Sequence, residues 1–273
     1  MNAAIYKALL PAAALLAAGC AQSGADNAGP EQNGALPATA PVAAPQSDAE
    51  AKAVAERSDL IEFTYAWPAA ASAIPALNAR LETELATDRS EALATARDDR
   101  DARVGQDYPF NGHYFRKEWA VEGDTSRLLS LAAEVETFTG GAHGNQGYDR
   151  ILWDRRAERA IGVEDLFAAP EAAFAALAKA FCPALDKVRA EKRGETLPLK
   201  GDDWMTSCPA LSQQALVPVD GDKDGRFETL RVLIAPYEAG PYAEGSYEID
   251  IAVTPAIRSL VKPDFTGMFR DAP

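Results

Sequence analysis

The sequence has few of the side chains on which most enzymes depend. It contains two histidines, His113 and His143, and three cysteines among 273 residues. It has no Gly-x-Ser-x-Gly elbow, no His-Glu-x-x-His motif, no Walker loop and no Gly-x-Gly-x-x-Gly fingerprint. The common hydrolase, zinc-protease and nucleotide-binding classes are therefore not indicated.

Positive charge is also scarce. There are 27 lysines and arginines against 41 acidic residues, which gives a net charge of −14 at pH 7. Phosphate binding needs clustered Lys and Arg, so this balance argues against a nucleic-acid partner and against a basic patch on anionic lipid. An acidic surface that keeps the protein soluble explains the charge.

The long apolar run at the N-terminus is too short for a comfortable membrane span. Residues 8–18 are rich in Ala and Leu and lead into Leu-Ala-Ala-Gly-Cys at residues 16–20. This ending resembles the lipobox of bacterial lipoproteins. The resemblance implies a signal peptide over residues 1–19, a lipid anchor on Cys20, and sorting to the outer membrane facing the periplasm, because Ala21 replaces the retention aspartate. The alternative is an ordinary secretory signal with a chance cysteine.

The remaining chain divides by composition. Residues 20–56 are mostly small or polar and predict a flexible tether. Residues 57–147 and 148–273 each combine strand-like segments with one long amphipathic helix, which Pro75 and Pro170 open. We expect an α+β fold of two consecutive sandwich-like units, with helices packed on antiparallel sheets.

A glycine-rich segment connects two of the predicted strands. Gly140, Gly141, His143 and Asn145 lie in it, and its glycines reach positive φ at little cost. We expect these four residues to form a binding surface, with His143 either fixing the connection or contacting a ligand. The alternative is catalysis, with His143 as general base beside Ser126 or Ser130 and a carboxylate.

Several segments, in order, resemble an extracytoplasmic module of bacterial envelope proteins. The most specific are Thr-Gly-Gly-Ala-His-Gly-Asn at residues 139–145 and Pro-Tyr-Glu-Ala-Gly-Pro-Tyr-Ala-Glu-Gly at residues 236–245. The module occurs in the lysozyme-binding region of the anti-sigma factor RsiV and beside the catalytic domain of a secreted peptidoglycan deacetylase. Neither a sigma-binding part nor a deacetylase domain is recognised in this sequence, so neither activity is carried over.

An acidic turn is a candidate metal site. Asp220, Asp222 and Asp224 alternate, with glycine at the sixth place, as in the first half of a calcium loop. The twelfth place is Arg231 and not glutamate, while Glu228 stands at the ninth. These four carboxylates could bind calcium, but a polar hairpin turn explains the same residues.

Two cysteines remain once Cys20 is lipidated. Cys182 lies on the second predicted helix, and Cys208 lies in an irregular stretch with little else to fix it. In an oxidising compartment we expect a disulfide between them, with a Cα–Cα separation of about 4.4–6.8 Å. Two buried thiols or a zinc site are the alternatives.

These observations favour a non-enzymatic envelope lipoprotein. Its globular part would bind a glycan, peptidoglycan or a protein such as lysozyme, and calcium is a possible cofactor. The competing interpretations are a hydrolase that acts on an envelope polymer through His143, and a purely structural lipoprotein.

Overall fold

The first half of the described chain forms a six-stranded sheet with a long helix on one face. The computed structural model describes residues 49–199, 201 and 203–273. In spatial as well as chain order the strands are β1 (Lys52–Arg57), β2 (Ile61–Trp67), β3 (His113–Asp124), β4 (Leu128–Phe138), β5 (Asn145–Asp154) and β6 (Arg159–Ile161). Helices α1 (Ala69–Ser72) and α2 (Pro75–Ala102) connect β2 to β3.

The pairing of β2 with β3 is parallel, and the other pairs of this sheet are antiparallel. The expectation of purely antiparallel sheets is corrected at this pair. A helix between two strands returns the chain to the end from which it started, so the second strand runs in the direction of the first.

Alternate residues of the strands face α2 and bury a core against it. On β3, for example, Lys117 and Trp119 are buried on this side, while Glu118 and Ala120 are exposed on the other. The buried members of the core come from α1, α2 and four strands: Phe63, Tyr65, Trp67, Ala71, Leu77, Leu81, Trp119, Leu129, Leu131, Ala133, Ile151 and Trp153. We call the opposite side of the sheet its outer face.

The second half of the chain forms a smaller antiparallel sheet with its own helix. Its strands are β7 (Ala215–Val219), β8 (Thr229–Ile234) and β9 (Tyr247–Ala252), and α3 (Pro170–Arg193) packs on it. Gly194, in the left-handed conformation at φ 67°, ends α3 as predicted. Two short helices follow β9, α4 (Pro255–Arg258) and α5 (Pro263–Thr266).

The two sheets meet face to face. Ala132 on the outer face of the large sheet packs against Val217 and Leu233 of the small one. The other face of the small sheet packs against α3. The layers therefore run helix, six-stranded sheet, three-stranded sheet, helix, and the α+β prediction is confirmed.

The predicted tether and the predicted boundary between the two units can be compared with the strands of the structure. The predicted tether, residues 20–56, is corrected at residues 52–56. They belong to β1, because pairing with β2 satisfies a backbone whose side chains are mostly exposed. The predicted unit boundary at 147/148 lies inside β5, and the division into two units stays a prediction. The signal peptide, Cys20 and most of the tether lie outside the described residues.

No helix among the residues that the structure describes is both long enough and apolar enough to cross a membrane.

Candidate functional site

The glycine-rich loop between β4 and β5 presents the imidazole of His143 at the surface. Gly140 and Gly141 have φ of 94° and 97°, so the loop uses a backbone conformation that favours glycine. Gly144 has no room for a side chain, because a Cβ there would lie 2.1 Å from the Tyr114 hydroxyl. The glycines thus bring the loop close to β3 and leave the histidine exposed.

A second loop, residues 235–246 between β8 and β9, supplies the partners of His143. The ring of Tyr242 stacks on the imidazole, with centroids 3.7 Å apart and an interplanar angle of 18°. Tyr237 lies beside both, with centroids 6.3 Å from His143 and 5.6 Å from Tyr242. We call these three residues the aromatic cluster.

Hydrogen bonds fix the imidazole in one orientation. Its Nδ1 lies 2.8 Å from the Gly144 carbonyl oxygen, which can only accept, so Nδ1 carries a proton. The Tyr242 hydroxyl donates to the same carbonyl at 3.0 Å. In the neutral ring Nε2 is then an acceptor, and the Tyr237 hydroxyl lies 3.4 Å from it.

Tyr237 is the strained member of the aromatic cluster. Its φ is 72°, in the left-handed region that residues with a Cβ rarely adopt. Its side chain is also 54% exposed, which is high for a large ring. Strained, exposed residues of this kind concentrate at functional sites.

Helix α3 holds the second loop in position. Arg189 is fully buried, and its Nε donates to the Ala239 carbonyl at 2.8 Å. One turn later Arg193 pairs with Glu244 at 2.8 Å. Burial opposes ionisation of Glu244, but Arg193 and the Tyr247 hydroxyl outweigh it, so the pKa of Glu244 is lowered. Helix α3 therefore binds both the first and the second half of the loop.

The disulfide predicted from the sequence is present and joins the same helix, α3, to the segment that contains Cys208. Cys182 and Cys208 are joined, with Cα atoms 5.5 Å apart, inside the expected range. Arg189 donates to the carbonyls of Thr206 and Ser207, which adjoin the bridge. The bridge and the arginine together fix residues 206–208 against α3.

The acidic turn forms between β7 and β8, and its carboxylates do come together. Those of Asp220, Asp222 and Asp224 lie within 4.8 Å of one another. Glu228 is buried beside them, and one of its oxygens accepts the Gly221 N–H at 2.7 Å. The four predicted metal ligands thus share one place.

A cation of the chain already lies at this turn. The guanidinium of Arg270 is 2.5 Å from Asp222, 3.1 Å from Asp224 and 3.6 Å from Glu228. Asp220 accepts the N–H groups of Asp224 and Gly225 at 3.1 and 2.9 Å, as a polar hairpin turn would. The arrangement fits the hairpin interpretation, and calcium binding stays a prediction.

The second histidine has a structural environment. His113 is buried at the start of β3, and its Nε2 lies 3.0 Å from Asp99 at the end of α2. Burial and the bond to α2 give His113 a structural role.

The predicted binding residues do not contribute equally. Gly140 and Gly141 shape the loop, and Asn145 opens β5 opposite Thr137. Only His143 places its side chain in the aromatic cluster. Sequence reasoning did not assign Tyr237 and Tyr242 to the site, although their segment was one of the two most specific parts of the resemblance.

Comparisons with known proteins agree with this architecture. Residues 54–146, less than half of the chain, match the family model described as Deacetylase PdaC. A DUF3298 family protein from Pseudomonas aeruginosa PAO1 superimposes with a TM-score of 0.51 at 18% identity, covering 83% of this chain and 99% of that one. The fold is that of the DUF3298 structures.

A second DUF3298 structure gives a similar result. The protein, from Bacteroides fragilis NCTC 9343, has a TM-score of 0.50 at 16% identity, covering 81% of this chain and 97% of that one. No curated protein matches the sequence significantly. At these identities the DUF3298 likeness establishes the fold and nothing about the ligand.

Proposed function

We propose that the chain is a binding module of the bacterial envelope that recognises a glycan through the aromatic cluster. The observation that carries the proposal is the aromatic cluster, in which the exposed His143 stacks on the half-buried Tyr242 and the exposed, strained Tyr237 lies beside them. Flat aromatic rings with a polar edge offer an apolar face and a hydrogen-bonding tip, which suits sugar rings. The match of residues 54–146 to a model named for a deacetylase supports an extracytoplasmic, deacetylase-related module.

Binding accounts for the site better than catalysis does. The Nδ1 proton of His143 goes to a backbone carbonyl and not to a carboxylate. Ser130, one of the serines proposed as a nucleophile, lies eight residues before the end of β4 at Phe138. At about 3.3 Å per residue it is roughly 25 Å away along the strand. The loop that carries His143 begins only after Phe138, so His143 lies far from Ser130. No observation favours the hydrolase.

The experiment measures binding of the purified chain to insoluble peptidoglycan and to soluble N-acetylglucosamine oligomers. We expect Tyr237→Ala and Tyr242→Ala to weaken binding at least about tenfold, the loss typical of a central aromatic contact. Tyr108→Ala is the matched control, because Tyr108 is 58% exposed and lies outside the aromatic cluster.

Three other results would decide against the proposal. Unchanged binding by both cluster variants would remove the site from consideration. Binding of lysozyme without binding of any glycan would indicate a protein ligand. Turnover of an envelope polymer that disappears in His143→Ala would establish the hydrolase.

The proposal includes a lipid anchor at Cys20, supported by the lipobox-like residues 16–20. Two or more acyl chains give stable membrane attachment. We expect Cys20→Ser to release the protein from the membrane fraction or to leave it unprocessed. A processed, lipid-bearing Cys20→Ser protein in membranes would show that the anchor lies elsewhere.

A further inference from the structure

An acidic groove lies on the outer face of the large sheet, and β8 and β9 of the small sheet also line it. It has a volume of about 420 Å³. Its floor includes Ala120, Ala132 and Tyr148. The charged residues that line it are five carboxylates, Glu118, Glu122, Glu134, Glu136 and Glu248, and two guanidiniums, Arg116 and Arg231.

The strand register sets two of these carboxylates directly against each other. Glu118 on β3 pairs with Glu134 on β4 in the antiparallel ladder. Like charges opposite each other in a sheet are destabilising. A cation between them would remove this cost, so the register itself points to a positively charged ligand.

The two arginines are largely committed to other carboxylates. Arg116 pairs with Glu136 at 3.0 Å and reaches Glu118 only at 3.9 Å. Arg231 pairs with Glu122 and, outside the groove, with Asp250. Among the described residues Glu134 and Glu248 have no ion-pair partner, so the groove keeps an excess of negative charge.

Tyr114 links the acidic groove to the aromatic cluster, because its hydroxyl lies against Gly144, whose carbonyl accepts the Tyr242 hydroxyl. Tyr114 precedes Arg116 on the same face of β3, and its ring stacks on Phe138 across the ladder. Burial raises the pKa of Tyr114, and the nearby Glu136 and Tyr242 add to that effect. Tyr114, Arg116 and Glu136 also line a smaller hollow of about 270 Å³. The outer face of β3 therefore forms one surface, from Tyr114 next to the aromatic cluster to Glu118 in the groove.

We infer that this surface binds a polymer of amino sugars in which some amines are free and protonated. Ring faces stack on the aromatic cluster, and ammonium groups reach the carboxylates of Glu118, Glu134 and Glu248. Tyr114, which adjoins the aromatic cluster through Gly144, and Glu118 lie four positions apart on β3, about 13 Å along the strand. The ligand must therefore be an oligomer that spans both parts. The inference rests on the proposed function and specifies its ligand.

The test compares glucosamine oligomers with N-acetylglucosamine oligomers of equal length, at a pH where the free amines are protonated. We expect the free-amine form to bind the full chain at least about tenfold tighter at low salt, with the difference shrinking as salt screens the charges. The combined variant Glu118→Gln, Glu134→Gln, Glu248→Gln should lose this preference and keep its affinity for the acetylated form.

A charge-matched control carries Glu171→Gln, Glu191→Gln and Glu195→Gln on or just after α3, away from the groove. It should keep the preference. Folding is checked separately, because Glu118→Gln removes the repulsion from Glu134 and should not lower the melting temperature.

Failure of this inference can be told from failure of the proposed function. If Tyr242→Ala abolishes binding of both oligomers while the free amine makes no difference, the glycan site stands and the amine inference is wrong. Equal loss of both oligomers in the groove variant would overturn it as well. Binding of a lysine-rich peptide as tightly as the amino-sugar oligomer would also overturn the inference.

Discussion

Tyr237 is held in a backbone conformation that costs stability. A left-handed conformation costs a residue with a Cβ about 1–2 kcal/mol, and glycine avoids that cost. The chain places glycine at Gly140, Gly141 and Gly245, which also have positive φ, but keeps tyrosine at this position. The retained strain is understandable if the exposed ring serves binding.

Replacing Tyr237 by glycine should relieve the backbone strain but remove the ring needed for binding. Tyr237→Gly should unfold with a free energy about 1 kcal/mol higher than Tyr237→Ala, because both lose the ring but only the glycine relieves the backbone. Both variants should lose glycan binding. Urea unfolding measures the first quantity and titration with oligosaccharide the second. Equal stability of the two variants would show that the backbone strain is absent.

Asp154 is a buried carboxylate whose charge the fold favours. Arg127 donates to it at 2.7 Å, and the N–H groups of Arg156 and Ala157 donate to it at 2.9 and 3.3 Å. The Arg127 hydrogen bond is the main reason that the pKa of Asp154 is lowered. A lowered folded pKa adds stability that is fully present above the unfolded pKa of about 3.9 and is lost as pH falls through the folded pKa.

We therefore expect Asp154→Asn to cost about 1.5–3 kcal/mol near pH 7, the range for a hydrogen bond to a charged group. The difference from the wild type should stay constant down to about pH 4 and then narrow. Urea unfolding at a series of pH values measures it. Asp107→Asn, at an exposed position, is the control for the removal of one carboxylate. A difference that does not change with pH would contradict the ionic role of Asp154.

At this scale the sequence predicted part of the site. His143 and its glycines were found because glycine and histidine are locally conspicuous between two strands. Tyr237 and Tyr242 were not, because they lie about a hundred residues further along the chain and no spacing rule connects the two loops. Their stacking arises from the meeting of the two sheets, which local patterns do not encode.

Among the elements, α3 does most to position the site. Its buried Arg189 bonds to carbonyls in two separate segments, at Ala239 and at residues 206–207. Its disulfide closes a loop with a sequence separation of 26. Two segments without helix or strand structure are thus held by polar and covalent bonds to one helix.

Removing the disulfide should lower stability and leave the site in place. For Cys182→Ala with Cys208→Ala we expect a loss of about 3 kcal/mol, as for a loop of this length. Arg189 still fixes the loop that carries Tyr237, so oligosaccharide affinity below the melting temperature should stay within about twofold of the wild type. Thermal unfolding and titration measure the two effects. Lost binding in a folded double variant would show that the bridge shapes the site.

The two long helices were the best predicted elements and β1 the worst. Prolines at the starts of α2 and α3 and Gly194 after α3 are strong boundary signals. Strand β1 has the sequence Lys-Ala-Val-Ala-Glu-Arg, and only Val54 is even partly buried. Its structure depends on pairing with β2, which a single strand sequence cannot reveal.

At the scale of the whole molecule, the contact between the two sheets unites the fold. Gly123, at an irregularity of β3, faces the buried ring of Phe227, which lies just before β8. The neighbouring carbonyl of Glu122 accepts the Asp220 N–H at 2.9 Å. The two halves of the described chain therefore make close backbone contacts. Such contacts favour a single cooperative unfolding transition.

A matched pair of glycines tests this contact. A Cβ on Gly123 would lie 2.6 Å from the Phe227 ring and 3.0 Å from the Asp220 nitrogen, whereas a Cβ on Gly147 in β5 meets nothing within 4 Å. Gly123→Ala should cost about 1–3 kcal/mol through overpacking. Gly147→Ala should change the free energy of unfolding by no more than about 0.5 kcal/mol or raise it, because alanine loses less entropy on folding.

Urea unfolding followed by tryptophan fluorescence and by far-ultraviolet circular dichroism measures the stability of both variants. For Gly123→Ala the two signals should shift together, since Phe227 couples the sheets. Separate transitions for the two signals would mean that the sheets unfold independently.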